Sequence, residues 1–264
     1  MLVPPLTVKA VMTCGIMTEI PTTHPRRGSL VLRERLVEGF KDGIVAPQGL
    51  IAHGRGEAMY YLLGERTTKE ARIAARAAAA ALLRSERPVI SVNGNVAALS
   101  SREVVDLAKT VGARIEISLF HRSDARVSKI QALLESDGAT DILGFLPDER
   151  IPGLDGVRGR CSSEGVYSAD VVLVALEDGD RTEALTRMGK KVVAIDLNPM
   201  SRTARAADVS VVDEVTRAIP LISGYVEEMS GDDDALDNAL AQYDREENLR
   251  AVMKMIAINL GLGD

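Results

Sequence analysis

The spacing of apolar positions divides the chain into helix-period and strand-period stretches. From Ser29 the sequence reads SLVLRERLVEGFKDG, and Leu30, Leu32, Leu36, Val37 and Phe40 fall mostly on one helical face that Gly43 stops. Ala46 to Gly56, APQGLIAHGRG, reads as a Gly- and His-bearing loop, and Glu57 to Leu63 as a short helix. Thr67-Thr68-Lys69-Glu70 is a capping box that opens a long Ala-rich helix to about Arg84. The pattern then changes. Pro88–Val92 is a short buried strand, Asn93-Gly94-Asn95 a tight turn, and Ser100 to Glu103 a second capping box leading a helix to about Val111. Arg114–Phe120 predicts a second strand, Ser123–Ser136 a helix and Asp141–Phe145 a third strand. Ile151 to Tyr167 is Gly-rich and irregular. VVLVAL at 171–176 is a fourth strand without polar interruption, a helix starts at Asp180, and Lys191–Asp196 and Val209–Val212 are strands five and six. Val215–Met229 is a helix, and from Asp232 an acidic start leads an amphipathic helix ending near Leu260.

Strands alternating with helices imply right-handed crossovers and a parallel sheet. The expected fold is therefore α/β: a Rossmann-like parallel sheet flanked by helices, with an N-terminal helical segment and a C-terminal helix. The expected organisation is a poorly ordered extension over 1–18, a helical region over 19–87, an α/β core over 88–230 and a C-terminal helix over 231–264.

Composition sharpens this picture. Of 264 residues 46% are hydrophobic but only 3% aromatic, with no Trp, so the core must be filled by Val, Ile, Leu and Ala. That is the composition of helix-covered parallel strands. A net charge of -6 argues against a general nucleic-acid partner, which wants a basic field. Cys14 and Cys161 stand far apart in unrelated contexts, which suits a reducing cytoplasm. No apolar run approaches the roughly 20 residues of a membrane span, and the first 18 residues lack the order of a signal peptide. GxxxxGK[ST], HExxH, GxSxG and a Cys/His ligand set are all missing.

Ligands of open α/β sheets bind past the carboxyl ends of the strands, and three segments stand there. Asn93-Gly94-Asn95 joins a close-approach glycine to two amides, or is a plain strand-to-helix turn. Glu177-Asp178-Gly179-Asp180-Arg181-Thr182 crowds three carboxylates at a helix mouth. Their repulsion calls for a Mg²⁺, a ribose or an ammonium, although Asp180 alone suits a helix N-cap. Asp196-Leu197-Asn198-Pro199-Met200-Ser201-Arg202-Thr203 offers a ribose acceptor followed by phosphate donors, or is an Asn-Pro turn. A fourth set, His24, Arg26, Arg33, His53 and Arg55, concentrates cations in an acidic chain, which points to an anion or to a solvated loop.

The stretches HPR at 24–26, GIVAPQGLIAHGRGEA at 43–58, VISVNGNVAAL at 89–99, LEDGDRTEAL at 176–185 and AIDLNPMSRTA at 194–204 resemble the archaeal 4-phosphopantoate–β-alanine ligase family, also called phosphopantothenate synthetase. The resemblance covers roughly residues 20 to 225, with small departures: many members of the family read NLFYR where this chain has Ser118-Leu119-Phe120-His121-Arg122, and often have proline at Ala175. It implies a homodimeric ligase of coenzyme A biosynthesis that uses ATP and Mg²⁺. Such an enzyme joins 4-phosphopantoate to β-alanine through a phosphopantoyl-adenylate and releases AMP and diphosphate. It assigns ATP to Arg33, Arg55, the run Glu177, Asp178, Gly179, Asp180, Arg181 and Thr182, and the run Asp196, Leu197, Asn198, Ser201, Arg202 and Thr203. His24, Arg26, His53, Asn93, Gly94, Asn95 and Arg122 are the candidates for the phosphopantoate side, and His24, Arg55 and Asp180 for catalysis. No metal ligand is singled out. The alternatives are a non-catalytic nucleotide-binding module, and a nucleotide-dependent transferase or dehydrogenase lacking the usual glycine fingerprint.

Overall fold

The computed structural model describes residues 20–262, so the expected N-terminal extension and Cys14 lie outside it. Four helices come first: α1 (Arg27–Lys41), α2 (Pro47–Glu57), α3 (Tyr60–Leu63) and α4 (Lys69–Leu83). They are followed by β1 (Pro88–Val92), α5 (Gly94–Val111), β2 (Arg114–Ile117), α6 (Asp124–Ser136), β3 (Glu149–Arg150), β4 (Arg160–Cys161) and β5 (Val171–Ala175). Then come α7 (Gly179–Arg187), β6 (Lys191–Ile195), α8 (Arg202–Ala206), β7 (Val209–Val211), α9 (Val215–Met229), α10 (Asp233–Ala241) and α11 (Arg245–Asn259).

Five strands form one sheet in the order β2-β1-β5-β6-β7, every neighbouring pair parallel. The chain winds outward from β1 to β2 and then crosses back over β1 to β5. At this reversal the following loops part in opposite directions and leave a crevice beyond the strands' carboxyl ends. Alternation along the aliphatic strands covers both faces. Ile90, Val92, Leu173, Val193 and Ile195 join the alanines of α4 and the apolar stripes of α5 and α9 on one side. Val89, Val172, Val174, Val192 and Ala194 meet α7 and the irregular stretch carrying Ile151, Leu154 and Cys161 on the other. Ala74, Ala75 and Ala77 to Ala81 of α4 are buried; their short side chains let the helix lie close against α9 and β7. A third cluster, Met59, Tyr60 and Leu63 with Leu197, Val252 and Ile256, ties the N-terminal helices and α11 to the loop after β6.

The expected parallel sheet with N- and C-terminal helices is present, with local differences that have physical causes. The expected loop from Ala46 to Gly56 is helix α2, opened by Pro47 in its first turn. A Cβ on its Gly49 would lie 2.2 Å from Asn95 Oδ1, so this glycine is needed for close packing rather than for flexibility. The expected third strand, Asp141–Phe145, shrinks to one bridge between Leu143 and Glu116. Left-handed backbone at Asp141 (φ 57°) and Gly144 (φ 91°) breaks its pleat on either side. Helix α5 starts at Gly94, not Ser100; Ser100 is instead a kink inside it (φ −148°). The helix expected to start at Asp180 starts at Gly179, because Asp178 supplies the cap. The C-terminal segment is two helices, broken before Asp244, whose side chain accepts from the Glu247 amide at 2.7 Å.

Candidate active site

A cleft of about 680 Å³ occupies the crevice at the reversal point, within the range usual for small-molecule sites. The loops after β1, β2, β5 and β6 line it, together with α2 through Gln48, Gly49, Ala52 and Arg55 and α6 through Arg126.

The β1 side is built by Asn93. Its Oδ1 accepts from the Asn95 and Val96 amides (3.0 and 3.1 Å), capping α5, while its Nδ2 donates to the carbonyls of Ala175 and Leu176 (2.8 and 3.3 Å). Asn93 therefore fastens the ends of β1 and β5 together, and its side chain is committed to backbone. Asn95 Nδ2 donates to the Gly49 carbonyl at 2.9 Å and fixes α2 against the site. Gly94 permits a tight contact: a Cβ there would meet the Ile44 carbonyl oxygen at 2.4 Å and Arg126 Nη2 at 2.7 Å.

The β5 side holds the acidic run, already compensated by arginines. Glu177 is tucked under the loop and accepts from the Asp178 amide at 2.9 Å. Burial pushes its carboxyl up, against the opposing pull of Arg181, whose Nε lies 3.4 Å from Oε2. Arg181 is only 4% exposed and donates to the Arg158 carbonyl (2.7 Å) and Ser118 Oγ (2.9 Å). It thus lies beneath the cleft rather than in its wall. Thr182 is fully buried and donates to the Asp178 carbonyl at 3.2 Å. Asp178 caps α7, and its Oδ2 accepts from Arg158 Nη1 at 2.9 Å. Asp180 bridges Arg202 (2.7 Å) and Arg158 (3.1 Å), and the Arg202 guanidinium holds its carboxyl below the usual range. Arg202 also grips Glu183 through Nε and Nη2 at 3.0 and 2.9 Å. Gly179 lets α7 begin against α8, since a Cβ there would stand 2.5 Å from Arg202 Cβ.

On the β6 side, Asp196 accepts from the Asn198 amide (2.9 Å) and from Ser201 Oγ (2.6 Å). Burial raises its carboxyl, opposed by these bonds and by the charge of Arg55. Ser201 caps α8, accepting from the Ala204 amide at 2.9 Å, and Thr203 Oγ1 donates to the Glu177 carbonyl at 2.8 Å. Asn198 steadies the turn by accepting from the Met200 amide at 3.0 Å, and Leu197 is buried in the third apolar cluster.

The N-terminal cations do not form one site. Arg55 reaches the cleft. His24, Arg26, Arg33 and His53 are not in its wall. Arg26 donates to Glu57 (3.0 Å), Glu65 (3.2 Å) and Tyr61 Oη (2.9 Å), and Arg33 Nε reaches both Glu57 oxygens at 2.8 Å. His24 Nδ1 accepts from the Arg26 amide at 3.0 Å. His53 is buried with Nε2 unpaired, and burial pulls its imidazole down. Arg122 donates to the Phe145 carbonyl at 2.8 Å and is not in the cleft wall. Two arginines escaped the sequence reading. Arg158 comes from the irregular stretch and lies over the Phe120 ring at 5.4 Å, and Arg126 lines the cleft from α6. Among the described residues no group of three or more His, Cys, Asp or Glu could hold a metal ion, and no helix is long and apolar enough to cross a membrane.

Comparison with known proteins identifies the family. The family model for phosphopantothenate/pantothenate synthetase matches residues 70–259. The 4-phosphopantoate–β-alanine ligase of Thermococcus kodakarensis is 52% identical over 237 residues, 89% of this chain and 87% of that protein. The ligases of the same name from Methanosarcina mazei (50% over 245 residues, 92% and 96%) and Methanospirillum hungatei (53% over 214 residues, 81% and 87%) are similarly close. A cleft at the reversal point of a parallel sheet, walled by four of the five segments that carried the resemblance, and matches over most of the chain lead to one conclusion: the chain belongs to the phosphopantothenate/pantothenate synthetase family.

Proposed function

We propose that the protein condenses 4-phosphopantoate with β-alanine to 4-phosphopantothenate, consuming ATP and releasing AMP and diphosphate, as a cytoplasmic homodimer. The observation that carries this reading is one cleft with two chemically different ends. The β5–β6 end offers Arg55, Arg202 and the Asp196–Ser201 pair, a nucleotide-like set. The β1–β2 end offers Arg126 and Asn95.

In the first step a carboxylate oxygen of phosphopantoate attacks the α-phosphorus of ATP, and diphosphate leaves. In the second the β-alanine amine attacks the acyl carbon, AMP leaves and the amine gives up a proton. Both steps bring anions together, so the protein's work is charge neutralisation and alignment. Arg55, a cleft-lining cation whose charge acts on Asp196, is suited to meet charge growing on the α-phosphate. Asp196, fixed by Ser201 and the Asn198 amide, is oriented to accept from ribose hydroxyls. Asp178 and Asp180 sit at the mouth, each already held by an arginine. The described residues offer no carboxylate cage for Mg²⁺. An ion arriving with ATP would be held chiefly by phosphates and water, and no step above depends on it.

The test is isotope exchange between diphosphate and ATP. Exchange that requires phosphopantoate but not β-alanine supports the adenylate. Exchange that appears only with β-alanine present, or without any acid, overturns it.

A further inference from the structure

The cleft is lined by three arginines with unequal surroundings. Arg202 is neutralised by Asp180 and Glu183, and Arg55 stands near Asp196. Arg126 differs. It is half-buried, burial pulls its guanidinium down, and its hydrogen bonds among the described residues go to carbonyl oxygens alone. Nε and Nη2 reach the Ile44 carbonyl at 3.2 and 2.9 Å, and Nη1 bonds the His121 carbonyl. A guanidinium carries five N–H donors. Three are used here, which leaves one on each Nη. Two adjacent donors on a partly desolvated cation without a counter-acid suit a bidentate oxyanion. The surrounding structure is built for this placement. Gly94 leaves no room for a Cβ beside Nη2, and Asn95 ties α2 in place through the Gly49 carbonyl.

We infer that Arg126 anchors the 4-phosphate of the acid substrate, at the end of the cleft away from the nucleotide. The inference rests on the ligase reading above and adds a residue to it. Arg202 is engaged by Asp180 and Glu183 and Arg55 lies in the field of Asp196, whereas at Arg126 the phosphate meets a cation with no carboxylate partner among the described residues. The substrate's carboxylate then points back toward Arg55 and the α-phosphate. Arg126 is thereby a specificity residue: it separates phosphopantoate from pantoate, which lacks the phosphate.

The experiment compares wild type, Arg126→Gln, Arg126→Lys and Lys129→Gln. Lys129 is the control, because it lies on the same helix outside the cleft wall and bonds the same α1–α2 turn through the Asp42 carbonyl at 2.6 Å. Turnover is measured with 4-phosphopantoate and with pantoate, and both acids are titrated calorimetrically into each protein without ATP. Arg126→Gln is expected to raise KM for phosphopantoate by about tenfold or more. KM for ATP and for β-alanine should stay within about twofold, and the preference over pantoate should collapse in both turnover and binding. Arg126→Lys should keep part of the preference and Lys129→Gln all of it. An unchanged preference in Arg126→Gln, a loss that falls on ATP instead, or an equal collapse in Lys129→Gln overturns the inference. Failure of the wild type to turn over either acid would sink the ligase reading separately. The calorimetric arm still decides Arg126 in that case: wild type that binds phosphopantoate no more tightly than pantoate contradicts the anchor.

Discussion

Replacing Arg181 with methionine tests whether the acidic run is held by internal arginines. The guanidinium is 4% exposed, donates at 2.7 Å to the Arg158 carbonyl and at 2.9 Å to Ser118 Oγ, and lies 3.4 Å from Glu177 Oε2. Methionine fills most of its volume, so the cavity contribution is small. What is lost is the cation facing a buried carboxylate, whose remaining bond is to the Asp178 amide at 2.9 Å. Breaking such a pair from one side costs about 3–5 kcal/mol at neutral pH. For a chain of this size that corresponds to roughly 6–20 °C in Tm. The loss must depend on pH. Burial already raises Glu177 above its ordinary value of 4.5, and Arg181 is the charge that holds it down. Without Arg181 the folded carboxyl rises further, so the folded state keeps a proton that the unfolded state has released. Stability then falls with rising pH over a longer range in the variant than in wild type, and the gap between them opens once the pH passes the raised carboxyl pKa of the folded wild type. Urea unfolding at several pH values measures it, and Glu177→Gln added to Arg181→Met should recover much of the loss. A single variant within about 0.5 kcal/mol of wild type at pH 7, or a gap that closes as pH rises, refutes the reasoning.

Arg55 is exposed at the cleft and contributes little to the core, so Arg55→Ala should leave Tm nearly unchanged while losing about 2–4 kcal/mol of transition-state stabilisation, roughly 30- to 1000-fold in kcat/KM. Near-normal turnover would remove it from the mechanism. Asp178→Asn keeps an N-cap for α7 but weakens the bond to Arg158. It should leave unfolding unchanged and lower Mg-ATP affinity or turnover by at least about tenfold, near 1.4 kcal/mol; calorimetry paired with turnover decides, and wild-type values in both refute a nucleotide role. Light scattering at micromolar concentration should give twice the 28.3 kDa chain mass, and a monomer would contradict the dimer.

The sheet was legible because its strands are short aliphatic runs bounded by breaks. VVLVAL at 171–176 can be little else, and the loops that follow such runs in an open sheet are where a ligand binds. Helix α2 was not legible, because Gly49, Gly54 and Gly56 lower its intrinsic propensity. Tertiary packing against Asn95 overrides that at Gly49, and no local pattern reports such a contact. The crowding of Glu177, Asp178 and Asp180 was visible, and so was the need for something to offset it. The partners were hidden in part. Arg181 is a neighbour in sequence, but Arg158 arrives from an irregular stretch without periodicity, and Arg202 from the next crossover. The cap fell two residues earlier than the expected Asp180, because Gly179 places Asp178 at the turn. Arg126 had no sequence signal at all: it reads as one more charged position on α6 until the fold sets it beside Gly94.

The most direct test is a product assay with purified protein, ATP, Mg²⁺, 4-phosphopantoate and β-alanine. The account predicts AMP and 4-phosphopantothenate in equal amounts, with no AMP when either acid or amine is left out at steady state. ADP in place of AMP, nucleotide binding without turnover, or AMP formed without a matching amide product would contradict it.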